Sequence, residues 1–231
     1  MNLYISLFYY YYYLFQRISD QHFINKMFFI TIAALGRSGQ PRAAEKAEQI
    51  LNEMEYISSY GAKDIAPNTI CFNAVIDAYA RSKGIDNKAV KAELILERMT
   101  EESNKGNKVI RPDTITFNTV INAAARSFGD PSVRKEAYFI GLNSFKTLHR
   151  LDYCQPSSIT YVLFLRLLEN LVDSKDSRDY MAEKVFKLCV RQKLVNDAVV
   201  SQLKRTCSPM AARHILSSFV VDADNKNKKQ R

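Results

Sequence analysis

Two asparagines occupy the same place in a phrase that the sequence repeats. Asn73 lies in PNTICFNAVIDAYARS and Asn118 in PDTITFNTVINAAARS, which start at Pro67 and Pro112. A carboxamide both donates and accepts hydrogen bonds, so it can recognise a polar edge that offers both. A capping or solvated amide is the alternative, because asparagine is common near helix starts. The repetition favours recognition.

Residues that usually bind metals are scattered along the chain. The four cysteines and three histidines are Cys71, Cys154, Cys189, Cys207, His22, His149 and His214. No two cysteines form a Cys-x-x-Cys pair, which excludes the short-spaced zinc signatures and gives no disulfide framework. Cys71 and Cys189 lie on apolar helical faces, so we predict buried, inert thiols in a reducing or matrix-like compartment.

A catalytic centre is not predicted. Asp173, Asp176 and Asp179 come closest to the aspartate cluster of a metallonuclease, but Lys175 and Arg178 interrupt them. The sequence has no P-loop, no glycine-rich dinucleotide turn, and no His-x-Glu with a distant Cys-x-x-Cys. We therefore expect a protein that is not an enzyme and that uses no cofactor or metal.

The net charge of +9 and the pI near 9.3 are compatible with an anionic partner, although a basic pI more often reflects solubility. The first fifteen residues, MNLYISLFYYYYYLF, are uncharged. As a helix they would span about 22 Å, short of the ~30 Å hydrocarbon core, and they lack targeting features. We interpret residues 1–21 as an aromatic low-complexity leader or the product of a mis-set start codon. A membrane anchor is the alternative, and we expect no stable membrane insertion.

Four sets of residues recur with one period, which indicates the elements that position the asparagines. The sets are Phe28, Phe72, Phe117 and Tyr161; Ala47, Ala92, Ala137 and Ala182; Pro67, Pro112 and Pro156; and Arg37, Arg81 and Arg126. Successive members lie 44 or 45 residues apart. Self-similarity of this length is typical of a solenoid.

Each unit has the pattern of two helices. Pro112 precedes Asp113 and Thr114, which can cap the first helix, and Asp130-Pro131 begins the second. The aligned alanines lie mid-helix, where a small side chain lets the partner helix approach closely.

The fold class predicted is an all-α, right-handed solenoid of about four helical hairpins with C-terminal capping helices. The divisions are a leader (residues 1–21), a degenerate repeat 1 (22–67), repeat 2 (68–112), repeat 3 (113–156), a degenerate repeat 4 (157–196), capping helices (197–221) and a polar basic tail (222–231).

The repeated phrases resemble the pentatricopeptide repeat, a helical-hairpin motif of RNA-binding proteins in organelles. The Pro-Asp junction, the following Thr-x-Phe-Asn and the second-helix AELILERM that ends at Met99 carry the resemblance. It covers about residues 22–196. The family's unit is shorter than these, and Phe29 and Val162 stand where its asparagine belongs, so we expect those two units to pack rather than read bases.

By this resemblance, the first-helix asparagine hydrogen-bonds one base together with the last residue of its unit. The implied pairs are Asn73 with Asp113, preferring uracil, and Asn118 with Ser157, preferring cytosine. Ile70 and Ile115 would flank the bases, and lysines and arginines in the loops would contact phosphate.

The function predicted is binding of single-stranded RNA in a mitochondrion or plastid, in RNA processing, stability or translation. Two competent units read about two nucleotides, which is too few for selectivity, so the chain is either part of a longer array or acts with other RNA-processing proteins. The alternatives are a helical scaffold that binds protein through its concave face and a degenerate fragment without activity. Asparagines side by side in a basic groove favour RNA, whereas asparagines turned outward from an apolar groove favour the scaffold.

Overall fold

The structure is a computed structural model that describes residues 21–40 and 42–229. The predicted leader, apart from residue 21, lies outside the described residues. Within these ranges the chain has ten α-helices and no strand. They are α1 (Gln21–Ser38), α2 (Ala43–Ser59), α3 (Thr69–Arg81), α4 (Lys88–Asn104), α5 (Thr114–Ala125), α6 (Pro131–Arg150), α7 (Ser158–Leu171), α8 (Lys175–Arg191), α9 (Asp197–Thr206) and α10 (Pro209–Lys229).

Consecutive helices pair as hairpins, and the hairpins stack in the order of the sequence. The first helices form one layer, in which α1 packs on α3, α3 on α5, α5 on α7 and α7 on α9. The second helices lie against this layer, and α4 also contacts α6. This arrangement confirms the predicted all-α helical-hairpin solenoid. None of the described helices is both long and apolar enough to cross a bilayer.

Polar residues at the predicted junctions start the helices. Asp113 accepts the backbone N–H of Thr116 at the start of α5. Asp130 accepts the N–H groups of Ser132 and Val133 before α6, whose first residue is Pro131. An N-cap acceptor satisfies N–H groups that have no partner inside the helix. The sequence signals for the helix starts of the third unit are thereby confirmed.

The aligned alanines are buried between the helices, as their spacing predicts. The relative exposure of Ala47, Ala92, Ala137 and Ala182 does not exceed 1%. Each first helix also buries an aromatic side chain at the aligned position, namely Phe28, Phe72, Phe117 or Tyr161. Small and large side chains thus alternate between the two layers, which lets them interdigitate closely.

A polar cluster joins the second hairpin to the first. The Arg98 guanidinium donates to Asn52 Oδ1 at 2.8 Å and pairs with the carboxylates of Glu55 and Glu48 on α2. Tyr79 of α3 donates its phenol to Glu48. Burial, followed by the Glu48 carboxylate, raises the pKa of Tyr79. The cluster therefore fixes how two adjacent units stack.

All four cysteine thiols are buried, which confirms the predicted burial of Cys71 and Cys189. Burial raises the pKa of Cys189 to about 11. Burial, followed by the Asp179 carboxylate, raises that of Cys207 to about 12. Both thiols are therefore held in the neutral form in the folded protein.

We expect Ellman's reagent to modify the native protein far more slowly than the urea-unfolded chain at about pH 8, because the thiolate is the reactive form. The free energy of unfolding should also fall as the pH rises from 9.0 towards 11, since only the unfolded Cys189 thiol ionises there. Absorbance of the released thiolate measures the first effect and urea titrations the second. Equal reaction rates in the two states would contradict the expectation.

Candidate nucleic-acid interface

The two predicted asparagines lie on adjacent first helices with an isoleucine one turn before each. Ile70 and Asn73 share one face of α3, and Ile115 and Asn118 share the same face of α5, because residues three apart lie together on a helix. The isoleucines are exposed, at 57% and 62%, whereas each asparagine is only 9% exposed. Each amide is thus set into the surface beside an isoleucine that projects from it.

Threonine hydrogen bonds tie each first helix to the start of the next unit. Thr114 Oγ1 donates to the carbonyl of Gln155 at 3.0 Å. The equivalent Thr69 Oγ1 lies 3.0 Å from the carbonyl of Arg111 and accepts the Arg111 N–H at 3.0 Å. Both carbonyls precede the junction proline. These bonds hold the N-cap of the next unit beside the preceding first helix.

The first predicted pair is in direct contact. Asn73 Nδ2 donates to Asp113 Oδ1 at 3.3 Å. The same oxygen accepts the backbone N–H of Thr116 at 2.8 Å and its hydroxyl at 2.9 Å. Asp113 Oδ2 makes no hydrogen bond to a described residue. The pair therefore presents a free carboxylate oxygen next to an amide that has a second N–H to donate.

The second predicted pair is not hydrogen-bonded. Ser157 donates its backbone N–H to Thr160 Oγ1 at 3.0 Å, and the two hydroxyl oxygens are 3.5 Å apart. The Asn118 amide makes no hydrogen bond to Ser157 or to another residue in the described ranges. The serine side chain is shorter than the aspartate of the first pair, and its hydroxyl lies beside Thr160 Oγ1.

Both asparagines contain a buried carbonyl oxygen without a hydrogen bond. Among the described residues, Asn73 Oδ1 and Asn118 Oδ1 are two of three buried side-chain polar atoms that have no partner. An unsatisfied buried acceptor costs about 1–3 kcal/mol, so it is rare in a stable core. Its occurrence at two equivalent positions indicates that these amides are not there for stability.

The other two units pack at this position, as expected from their sequence. Phe29 and Val162 are both half-buried and lie against the hydrophobic core. Neither can form a hydrogen bond through its side chain. The polar positions are therefore confined to the two central units of the stack.

The structure reveals one further isoleucine that sequence reasoning missed. Ile159 on α7 is 60% exposed and is the equivalent of Ile115. The 44-residue spacing between the two isoleucines is a sequence signal for this position, but Val162 replaces the asparagine of the unit and so gives no reason to expect base reading there. We call Ile70, Asn73, Ile115, Asn118 and Ile159 the isoleucine–asparagine face.

The same side of the first-helix layer is basic. Positions seven and eleven residues after each isoleucine, or after Lys26 in the first unit, lie on the same helical face. Together with Lys26, the basic residues on this face are Arg37, Arg81, Arg126 and Arg166, and Asp77 is the acidic residue at these positions. Asp77 forms an ion pair with Arg81 at 2.6 Å. Arg126 and Arg166 make no ion pair with a described residue, so their charges are available to an anion.

Two of the three aspartates considered for a metal site, Asp173 and Asp179, have structural partners. Asp173 pairs with Arg134 at 2.6 Å. Asp179 accepts the N–H and the hydroxyl of Ser208, which precedes α10. No group of three or more histidine, cysteine or acidic residues in the described ranges is arranged to hold a metal ion.

Comparison with known proteins gave no match among family models, curated proteins or solved structures. Membership of the pentatricopeptide-repeat family therefore remains a prediction, and it rests on the repeated sequence phrases alone.

Proposed function

We propose that the chain binds single-stranded RNA across the isoleucine–asparagine face. The observation that carries the proposal is the pair of buried, unsatisfied Asn73 and Asn118 carbonyl oxygens at equivalent positions. Fold stability gives no reason to keep these amides, since Val162 occupies the same position in the fourth unit. A ligand that accepts from the amide N–H groups does give a reason to have an amide at this position.

The chemistry of the first pair suits uracil. Asn73 has a second N–H for a base carbonyl, and the free Asp113 Oδ2 can accept the uracil N3–H. Asn118 and Ser157 offer amide N–H groups and a hydroxyl, which suit the acceptors of cytosine. Ile70, Ile115 and Ile159 project beside these groups and can contact the faces of the bases.

The cations along the same face suit the phosphate backbone. Arg126 and Arg166 are unpaired within the described residues, and neutralising phosphates releases counterions, which makes affinity depend on salt. Two base-reading units give little selectivity. The proposed role is therefore in organellar RNA processing, stability or translation, as part of a longer array or with other RNA-processing proteins.

A second function is a scaffold that binds protein through the same layer. The observation that favours it is the row of three exposed isoleucines, Ile70, Ile115 and Ile159. Exposed apolar side chains in a row often mark a protein interface. A scaffold would leave the unsatisfied amides and the unpaired arginines without a role.

Fluorescence anisotropy with labelled oligonucleotides tests the proposal. We expect RNA to bind more tightly than DNA and U/C-rich RNA more tightly than purine-rich RNA. Replacing Asn73 and Asn118 with alanine should weaken U/C-rich binding by about tenfold while leaving purine-rich binding nearly unchanged. The matched control replaces Asn87 and Asn143 with alanine. Both are exposed and lie outside the isoleucine–asparagine face.

The outcomes separate the candidate functions. Binding that depends on salt from about 50 to 200 mM but not on the asparagines would reduce the interface to a basic surface. No RNA binding at low salt would favour the scaffold.

A further inference from the structure

The second-helix layer contains a groove whose charge is opposite to that of the chain. A cavity of about 660 Å³ lies between α4 and α6. Glu93, Glu97 and Glu101 line its α4 side, and Leu96 and Phe117 contribute apolar surface. None of the described residues that line it is a lysine or arginine. We call this cavity the acidic groove.

The three glutamates form one unpaired stripe. They are spaced four residues apart, so they share a face of α4 and span about 12 Å along it. None of the three forms an ion pair with a described residue, although the chain carries a net charge of +9. Partial burial, followed by the carboxylates of Glu97 and Glu136, raises the pKa of Glu93. The stripe is thus a concentration of negative charge that the fold does not neutralise.

A hydroxyl on a mostly buried side chain opens into the groove and has no partner among the described residues. Ser144 of α6 lines the groove and is only 5% exposed. Its hydroxyl makes no hydrogen bond to a residue in the described ranges. A hydroxyl oxygen accepts hydrogen bonds, so a donor that enters the groove can bond to it.

A tyrosine at one end of the groove contacts a cation that does not itself line the groove. The Arg111 guanidinium lies 3.4 Å from the centroid of the Tyr153 ring, and Tyr153 lines the groove. Contacts of this kind are favourable because the ring face is electronegative.

A metal ion does not account for these features, because the described carboxylates are not grouped to hold one. RNA does not account for them either, since the glutamates repel phosphate. We propose that the acidic groove binds a lysine- or arginine-rich segment of a partner protein. The cations would pair with Glu93, Glu97 and Glu101, and their aliphatic stems would cover Leu96 and Phe117.

The spacing fits an extended segment with basic residues at alternate positions. Residues four apart on α4 are separated by about 6 Å along the helix axis, and alternate residues of an extended chain by about 6.6 Å. Successive lysines can therefore meet successive glutamates.

The test uses the full chain and a fluorescein-labelled nine-residue peptide with lysines at alternate positions and a central leucine. We expect binding by anisotropy, and binding at least about tenfold weaker by E93Q/E97Q/E101Q, because three charge pairs are lost. The control D86N/D176N/D197N changes the net charge equally at exposed sites outside the groove and should bind within about twofold of wild type. The variant E97Q/E101Q changes only exposed residues, so we expect it to fold. It therefore tests the proposal even if the triple variant unfolds.

Three results would overturn the proposal. They are equal affinity of the wild type and both glutamine variants, an equal loss in the control, and a wild-type dimer in sedimentation that the glutamine variants dissociate. The last result would assign the groove to a second copy of this chain. Unchanged U/C-rich RNA binding by the glutamine variants would support a separate site, and a parallel loss of RNA binding would contradict it.

Discussion

Replacing Leu167 with alanine should lower the free energy of unfolding by about 2–5 kcal/mol, and the loss should be smaller when Gly141 also becomes alanine. Gly141 lies buried on α6, and a Cβ placed there would be 2.1 Å from Leu167 Cδ1 and 3.1 Å from Ala124 Cβ. Leu167 is fully buried on α7. The leucine thus occupies the space that a side chain at position 141 would need.

The single change G141A should cost about 1–3 kcal/mol through overpacking, partly offset by the higher helix propensity of alanine. With Leu167 also reduced to alanine the 2.1 Å clash disappears and only the 3.1 Å contact with Ala124 remains, so the two effects should couple by about 1 kcal/mol or more. Urea titrations of the two single variants and the double variant measure this coupling.

Leu168 provides the matched control for this cycle. Leu168 is as buried as Leu167 and lies on the same helix. None of its atoms is among the three nearest to the position that a Gly141 Cβ would occupy. The effects of L168A and G141A should therefore add. Additive effects for Leu167 as well would contradict the packing described here.

Replacing Asn118 with leucine should stabilise the protein and weaken RNA binding. The leucine removes the buried, unsatisfied Oδ1, which should raise the free energy of unfolding by about 1 kcal/mol. The same change removes the amide proposed to meet a base, so affinity for U/C-rich RNA should fall by about tenfold. Opposite effects on stability and binding are typical of a residue kept for function.

Two comparisons isolate the cause. N143L places the same leucine at an exposed position of α6, so it carries the gain in helix propensity without removing a buried oxygen. N73L should stabilise less than N118L, because it also breaks the hydrogen bond to Asp113. A fall in stability for N118L, measured by urea titration, would show that the amide is structural.

The helices of the central units could be predicted because their boundaries have local causes. Asp113 and Asp130 accept backbone N–H groups at helix starts. Pro131 lies in the first turn of its helix, which is where a helix tolerates proline. The order of stacking followed from the 44- and 45-residue period, since one hairpin cannot bury both of its apolar faces.

Packing between particular side chains could not be predicted from that period. Gly141 stands where Leu51, Leu96 and Phe186 stand in the other units, which alone suggests a cavity. The structure fills this space with Leu167 from the next unit. Such compensation depends on a residue 26 positions away, and no local pattern reports it.

The C-terminal segment is longer as a helix than its composition suggested. Residues 222–231 were predicted as a polar tail, but α10 continues to Lys229. Charged and amide side chains are compatible with a helix, so polarity alone does not mark its end.

The candidate site was predictable only in part. The repeated phrase located Asn73 and Asn118, and the family resemblance paired them with Asp113 and Ser157. The direct Asn73–Asp113 hydrogen bond and the unsatisfied oxygens depend on how units pack across a junction. The threonine bonds that fix this junction join residues about 40 positions apart, as Thr69 and Arg111 do.

The exchange of Asp113 and Ser157 tests base reading most directly. Both residues are helix N-caps, and serine and aspartate cap equally well, so D113S and S157D should keep the fold. The measurement is the ratio of dissociation constants for oligo(U) and oligo(C), in which the change in net charge cancels. Relative to wild type, D113S should move the ratio about fivefold towards cytosine and S157D about fivefold towards uracil. The same ratio in all three proteins would contradict base reading by these two units.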